Sequence, residues 1–310
     1  MGKIAFVFAG QGAQYSGMGQ ELFEQSPAAR AVYKLADSLR PGTSTQCFSG
    51  TQEELSLTEN TQPCMFATDL ACAQALAEAG VRPQGAAGFS LGELPALAFC
   101  GVLESREAFA LVMHRAQLMS ECAQANPGGM AAVLRLTNEQ VEEMCSGFDH
   151  VYPVNYNCPG QLVVAGAKEE LPAFAERVSA AKGKAVPLAV SGAFHSPFML
   201  GASTGIAQML AKLTLNAPEI PLYANATGEP YTGDNARELI ARQASSPVRW
   251  QQTVERMIAD DFDTFIEVGP GKTLSGLIKK IAPQARILQV ENAATLAAAV
   301  EAVLHSPQPE

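Results

Sequence analysis

The sequence is poor in positive charge. Its 310 residues include 21 Lys and Arg against 31 Asp and Glu, and the formal net charge is −10 at pH 7. Such a chain lacks the surplus of cations that neutralises phosphates in sequence-independent nucleic-acid binding. We therefore expect no nucleic-acid partner.

Long apolar runs and paired cysteines are also missing. No charge-free apolar stretch reaches the roughly 18 residues needed to cross a bilayer, and the N-terminal run IAFVFAG is too short for a secretory signal. The seven cysteines form no C-x-x-C pair and have no histidines at ligand spacing. We expect buried free thiols, a cytoplasmic protein, no membrane association and no metal.

The elements that are present alternate between short β-rich runs and helical stretches, which indicates an α/β fold. KIAFVFAG predicts a buried parallel strand. Thr51 and Glu54 predict a capping box, and TQPCMFATDLACAQALAEAG predicts a helix that ends at Gly80.

The segment from about 129 to 190 has a different order of elements, β-α-β-β-α-β, which is that of a ferredoxin-like unit. KAVPLAV is its predicted last strand. We interpret residues 128–193 as a small ferredoxin-like subdomain inserted into a large α/β subdomain made of residues 1–127 and 194–310.

Residues 88–93 read GFSLGE, which matches the G-x-S-x-G pattern of a nucleophile elbow. Gly88 and Gly92 allow the close backbone approach that a strained strand-to-helix turn requires, and an apolar strand and helix flank them. N–H groups at the start of that helix can stabilise an oxyanion. Ser90 is therefore a candidate nucleophile, although the pattern alone is weak.

A serine nucleophile needs a base, and the chain has four histidines, at positions 114, 150, 195 and 305. His195, in SGAFHSPFM, follows a predicted strand and precedes a helix that Ser196 caps. Loops at the carboxyl ends of strands are where α/β sites are built. His195 is the candidate base, against the alternative that it merely finishes a loop.

Arg115 lies on an otherwise apolar stripe of a predicted helix. A buried guanidinium is costly unless it meets an anion. It could pair with an internal Asp or Glu, or it could offer its two-pronged fork to a substrate carboxylate.

Two glycine-rich loops fail as nucleotide-binding motifs. GQGAQY has Tyr15 where G-x-G-x-x-G requires its last glycine, and GPGKT has Ile266 where a P-loop requires its first. We interpret both loops as walls of a cleft. Asn225-Ala226-Thr227 matches a glycosylation acceptor, but the match has no use in a cytoplasmic chain.

Taken together, the motifs resemble those of the malonyl-CoA:acyl carrier protein transacylases and the acyltransferase domains of polyketide synthases. They occur in the same order along essentially the whole chain: GQGAQ at 10–14, GFSLGE at 88–93, Arg115, NYNCPGQ at 155–161, GAFHS at 192–196, QASSPVRW at 243–250 and EVGPGK at 267–272. The resemblance implies an α/β-hydrolase-like large subdomain with a ferredoxin-like insertion. It also implies malonyl-CoA and acyl carrier protein as reaction partners, a ping-pong reaction and no cofactor.

The resemblance further implies the roles of individual residues. Ser90 would carry the acyl group and His195 would be its base, oriented by a backbone carbonyl at Gln243. Arg115 would bind the malonyl carboxylate, and backbone N–H groups of Gln11 and Leu91 would form the oxyanion hole.

Two further residues are assigned to the pocket. Asn157, in preference to Asn155, is the candidate for a polar contact with substrate. Phe194 would fill the space of an α-methyl branch and favour malonyl over methylmalonyl. The chain departs from the family pattern at Phe89, where histidine is usual, and at Leu94-Pro95.

Other functions remain open at this point. An α/β-hydrolase esterase would pass the acyl group to water and would not need Arg115, and a carrier-binding scaffold protein would not be acylated at all. For an acidic carrier protein, Lys279 with Lys280, or Lys182 with Lys184, are candidate docking residues.

Overall fold

The computed structural model describes residues 2–190 and 192–305. Nine strands form within them: β1 (Lys3–Phe8), β2 (Gly85–Gly88), β3 (Gly128–Leu134), β4 (Val151–Cys158), β5 (Gln161–Ala167), β6 (Lys184–Pro187), β7 (Leu222–Tyr223), β8 (Phe262–Val268) and β9 (Arg286–Val290). The helices are α1 (Gln20–Gln25), α2 (Pro27–Leu39), α3 (Thr43–Ser49), α4 (Gln52–Ser56), α5 (Thr58–Glu78), α6 (Glu93–Phe99), α7 (Ser105–Ala125), α8 (Asn138–Cys145), α9 (Leu171–Ala180), α10 (Leu200–Leu210), α11 (Ala236–Arg242), α12 (Trp250–Ala259), α13 (Thr273–Ile281) and α14 (Ala293–Val300).

A parallel sheet of five strands, in the order β7-β2-β1-β8-β9, forms the larger part of the molecule. Its central strand β1 is buried from Ile4 onward, as expected for a parallel strand covered on both faces. Because neighbouring strands are parallel, the loops after β1, β2 and β8 leave the same edge of the sheet. The predicted motifs at 10–14, 88–93 and 267–272 therefore lie at that edge.

The turn after β2 has no room for larger residues. A Cβ atom added to Gly88 would lie 2.1 Å from the backbone C and O of Gly92, and one added to Gly92 would lie 2.3 Å from the carbonyl oxygen of Phe8. Ser90 between them has a φ of 52°, in the left-handed region that non-glycine residues rarely adopt. The glycines are thus required by close backbone contact.

Two long helices, α5 and α7, pack against each other beside the sheet. α5 is buried over most of its length and contains Pro63 in its second turn. The predicted stripe of α7 is buried from Ala108 to Met119, including Arg115, and is half-buried at Cys122. The capping box of Thr51 and Glu54 forms, but it begins the separate short helix α4 instead of the long one, because the chain turns at Leu57 before α5 starts.

A second, antiparallel sheet has the order β4-β5-β3-β6 and is accompanied by α8 and α9. Its last strand is shorter than predicted. β6 ends at Pro187, and although the N–H of Leu188 still reaches the carbonyl of Met130, the chain then turns away. This sheet meets the 243–250 segment at Val248, whose N–H and C=O bond to Val154 and Tyr156 of β4.

Within the residues that the structure describes, we find no helix with the length and apolar character needed to cross a bilayer.

Candidate active site

Ser90 and His195 meet at the edge of the parallel sheet. The Oγ of Ser90 lies 2.6 Å from Nε2 of His195, across 105 residues of sequence. His195 also has a positive φ, 62°, and its N–H donates to the carbonyl of Ala244 over 3.0 Å. Two strained backbones therefore hold the hydroxyl and the imidazole within hydrogen-bond distance, as a nucleophile and its base require.

The second ring nitrogen of His195 faces two backbone carbonyls. Nδ1 lies 3.1 Å from the oxygen of Gln243 and 3.1 Å from that of Ser246. Carbonyl oxygens only accept hydrogen bonds, so Nδ1 carries the proton and Nε2 is left to accept from Ser90. No carboxylate is needed to select this tautomer.

The imidazole is strongly biased towards its neutral form. Burial, together with the positive charge of Arg115, outweighs the raising effect of the two carbonyls and lowers the pKa of His195 to about 4. A neutral imidazole can accept the proton of a serine hydroxyl throughout the neutral pH range.

Arg115 is buried, with 2% of its surface exposed, and its hydrogen-bond partners are neutral amides. Nη1 donates to Oε1 of Gln62 over 2.8 Å and Nη2 donates to Oε1 of Gln243 over 2.8 Å. Nε has no hydrogen-bond partner among the described residues. Burial lowers the pKa of Arg115 to about 10, so the guanidinium stays charged at neutral pH. Its hydrogen bonds do not show the predicted direct pair with Asp or Glu, but the negative charge of buried Glu93 acts on the guanidinium and raises its pKa against the effect of burial.

Gln243 connects Arg115 with Ser90. Its side-chain Nε2 donates to the backbone carbonyl of Ser90 over 2.6 Å while its Oε1 accepts from Arg115. Its backbone carbonyl faces His195. One residue thus contacts all three groups that the sequence marked as candidates.

The other predicted residues lie around this centre. Gln11 follows β1, in a loop that packs closely against the Ser90 turn, because a Cβ added to Gly10 would lie 2.9 Å from the carbonyl oxygen of Phe89. Leu91 is buried in the turn that begins at Ser90. Phe194 is 6% exposed and directly precedes His195.

Asn157 lies in β4 and is 7% exposed, with no hydrogen-bond partner for Oδ1 among the described residues. Asn155 has the same features. In the described ranges no hydrogen bond joins either side chain to Ser90, His195 or Arg115, so the structure does not favour one of them over the other.

Comparison with known proteins decides the family. Residues 5–301 of the chain match the sequence model of the protein family described as "Acyl transferase domain". The chain belongs to the acyl transferase family. The malonyl CoA-acyl carrier protein transacylase of Bacillus subtilis (strain 168) is 37% identical over 309 residues, covering 97% of each chain.

Solved structures of acyl transferases agree with this assignment. A malonyl CoA-acyl carrier protein transacylase from Clostridium perfringens has a TM-score of 0.93 and 37% identity over 97% of both chains. A malonyl-transacylase solved in complex with a type II polyketide synthase acyl-carrier protein has a TM-score of 0.93 and 33% identity, over 97% of this chain and 99% of that one.

Sequence reasoning missed several contacts in this acyl transferase. Gln62 was overlooked, although a glutamine inside the apolar run TQPCMF is a signal of a buried polar contact. Asn225, whose Oδ1 accepts from the N–H of Ser90 over 2.6 Å, was noted only as a glycosylation match. The contact between the backbone carbonyl of Ser246 and His195 could not be predicted from any side chain.

The remaining histidines lie elsewhere. His150 pairs with Glu170 at the surface and His305 pairs with Glu301. Within the described residues no cluster of three or more His, Cys, Asp or Glu is placed to hold a metal ion.

Proposed function

We propose that this acyl transferase moves a malonyl group from malonyl-CoA to the phosphopantetheine thiol of acyl carrier protein for fatty acid synthesis. The observation that carries the proposal is Arg115, a buried cation whose hydrogen-bond partner Gln243 also bonds to the nucleophile residue. A water-using esterase has no need of a desolvated guanidinium beside its serine. The relatives named as malonyl transacylases support the same substrate.

The reaction follows from the dyad by a ping-pong route. Nε2 of His195 takes the proton as Oγ of Ser90 attacks the thioester carbonyl, and the collapsing intermediate releases the CoA sulfur, which receives that proton. The carrier thiol then gives its proton to His195 and attacks the serine ester. Ser90 leaves as an alkoxide and recovers its proton from His195.

The remaining groups of the site stabilise and orient the substrate. Backbone N–H groups of Gln11 and Leu91 would receive the oxyanion, and Arg115 would bind the free carboxylate of malonyl through two N–H donors. The carbonyl of Gln243, joined by that of Ser246, orients His195. These steps use groups of the chain itself and need no cofactor, because malonyl-CoA is a substrate.

Two residues are assigned to the acyl pocket. Phe194, directly before the base, would occupy the space of an α-methyl branch and so favour malonyl. Asn157, in preference to Asn155, would supply a polar contact to the substrate, and a buried Oδ1 without a partner among the described residues supports such a contact for either asparagine.

The two sheets support a division into subdomains. Residues 1–127 and 194–310 would form the α/β-hydrolase-like part, because the nucleophile follows a strand of the parallel sheet in a tight turn. Residues 128–193 would form the ferredoxin-like part, since the antiparallel order β4-β5-β3-β6 with two helices is that of a split β-α-β unit.

The proposed partners are acyl carrier protein and malonyl-CoA, with no nucleic acid and no membrane, in the cytoplasm. Six of the seven cysteines are buried as free thiols, which suits a reducing compartment. Lys279 and Lys280, in the last turn of α13, are candidates for contact with an acidic carrier. A carrier of a polyketide pathway is a second candidate, because one relative was solved with such a carrier.

Acylation of the intact protein tests the proposal. On mixing with malonyl-CoA, we expect the mass of the wild type to rise by that of one malonyl group. The mass should fall back to that of the unmodified protein when holo acyl carrier protein is added. Ser90→Ala should show no adduct, while Ser49→Ala, at an exposed serine, should load like the wild type. Because the chain has seven cysteines, resistance of the adduct to neutral hydroxylamine should distinguish a serine ester from a thioester.

The proposal fails if the wild type gains no malonyl adduct, or if the adduct survives Ser90→Ala. Hydrolysis of the adduct by water faster than its transfer to the carrier would favour the esterase alternative.

A further inference from the structure

A buried asparagine holds the backbone on both sides of Phe89, next to the nucleophile. Oδ1 of Asn225 accepts from the N–H of Ser90 over 2.6 Å, and its Nδ2 donates to the carbonyl of Gly88 over 2.5 Å. One planar amide therefore bridges the two peptide groups that flank the position before the nucleophile. Asn225 is 1% exposed, so no water competes for these bonds.

The backbone that Asn225 holds is strained. Ser90 has a φ of 52°, and a non-glycine residue keeps such a conformation only when its surroundings fix it. The strain directs Oγ towards His195. Releasing the amide would allow the turn to relax and would lengthen the 2.6 Å contact between Oγ and Nε2.

Asn225 is itself fixed by a buried carboxyl group. Its N–H donates to Oε1 of Glu93 over 2.9 Å, and the same oxygen accepts from the hydroxyl of Tyr231 over 2.6 Å. The carbonyl of Asn225 accepts from the N–H of Arg249 over 2.9 Å. Glu93 is 1% exposed and lies in the first turn of α6, three residues after the nucleophile.

These contacts have no part in the transfer steps themselves. Neither Asn225 nor Glu93 bonds to the side chain of Ser90, His195 or Arg115, so neither is placed to touch the reacting atoms. Asn225 nevertheless bonds to the backbone of the turn that carries Ser90, and Glu93 bonds to Asn225. Both residues can therefore act on the reaction only through the position of Ser90.

We propose that Asn225, held by Glu93, is a positioning residue that keeps Ser90 in its strained conformation and thereby sets the rate of acylation. The inference rests on the proposed malonyl transfer. It assigns a function to two residues outside the dyad, one of them in a motif that matched only a glycosylation site.

Rapid-quench measurement of malonyl adduct formation on the full-length protein tests this. For Asn225→Ala we expect the acylation rate constant to fall about tenfold to a hundredfold, because a small displacement of a nucleophile has effects of that size. The malonyl-CoA concentration at half-maximal rate should stay within about twofold, since Arg115 is untouched. The control Asn216→Ala removes an exposed asparagine and should load like the wild type.

Asn225→Asp keeps the volume and separates positioning from folding. A protonated aspartic acid can accept from Ser90 and donate to Gly88, whereas the ionised form cannot donate. Its rate relative to wild type should therefore fall as the pH rises. The ionisable groups around it are Glu93, which bonds to the backbone of residue 225, and Tyr231 and Arg115, which act on Glu93. In the same way Glu93→Gln should retain more of the rate than Glu93→Ala, because an amide oxygen still accepts.

A folded Asn225→Ala variant with the wild-type acylation rate overturns the proposal. If that variant does not fold, Asn225→Asp decides, and a rate relative to wild type that does not change with pH overturns it equally. A wild type that forms no malonyl adduct would instead contradict the malonyl transfer on which the inference rests.

Discussion

The side chain of Gln243 bridges Arg115 and Ser90. Its Oε1 accepts from Nη2 of the arginine over 2.8 Å, and its Nε2 donates to the carbonyl of the serine over 2.6 Å. The orientation of the amide is fixed at both ends, because oxygen can only accept and the amide nitrogen only donates. The guanidinium is thereby placed at a defined position relative to Ser90, which fits its proposed role in selecting the acyl group.

Replacing Arg115 should change the choice of acyl group. For Arg115→Ala we expect kcat/KM with malonyl-CoA to fall by at least about a hundredfold, since a charge-assisted bidentate contact is worth several kcal/mol in a buried site. The kcat/KM with acetyl-CoA, which has no free carboxylate, should fall less. Steady-state transfer with both donors measures the ratio.

Arg106→Ala is the matched control, because Arg106 lies on the same helix but is exposed. An equal fall in kcat/KM with malonyl-CoA and acetyl-CoA in Arg115→Ala would show that the arginine does not recognise the carboxylate.

The pH dependence of acylation should reflect the low pKa of His195, about 4. We expect kcat/KM to stay level down to about pH 5, whereas an ordinary histidine would begin to protonate near its usual pKa of about 6.5. In Arg115→Gln, assayed with acetyl-CoA, loss of the neighbouring charge should move the acidic limb to higher pH. An unchanged acidic limb in that variant would contradict the electrostatic coupling.

The low pKa of His195 also predicts how the stability of the fold depends on pH. Between about pH 6.5 and about pH 4 the unfolded chain binds a proton at His195 that the folded chain does not, so the free energy of unfolding should decrease as the pH falls through this window. Urea unfolding of wild type and His195→Gln at several pH values should show a weaker dependence in the variant. If the free energy of unfolding changes with pH equally in both proteins, groups other than His195 cause the loss of stability in acid.

Gly88→Ala should destabilise the fold. The added Cβ would lie 2.1 Å from the backbone of Gly92, and backbone cannot move aside as a flexible side chain can. We expect a loss of about 1–3 kcal/mol or more in urea unfolding. Gly276→Ala is the control, since its Cβ would meet no atom within 4 Å in helix α13, and a gain of up to about 1 kcal/mol is expected there. Equal stability of both variants would argue against close packing at the turn.

Phe89→His should be tolerated by the chemistry. Phe89 packs edge-on against Trp250, with ring centroids 5.6 Å apart, and His195 is the residue that bonds to Ser90. We expect malonyl loading within about threefold of wild type and a loss of stability of about 0.5–1.5 kcal/mol, the usual value of an aromatic pair. A much larger fall in loading, with the protein still folded, would give this position a part in the reaction.

The sequence alone determined the location of the nucleophile turn, the arginine on an apolar helix face and the α/β order of elements. These are local properties: GFSLGE requires small residues at close contacts, and the stripe around Arg115 follows from helical spacing. The predicted helix ending at Gly80 was confirmed for the same reason, because a positive φ there favours glycine.

Tertiary structure decided what surrounds each candidate. Gln62 and Gln243 reach Arg115 across 53 and 128 residues of sequence, and Asn225 reaches Ser90 across 135. A glutamine in an apolar run, such as Gln62, indicates a buried polar contact but does not identify the partner, and backbone carbonyls such as that of Ser246 carry no sequence signal. Only the packing of α5, α7 and the 243–250 segment around one edge of the sheet brings these groups within hydrogen-bond distance.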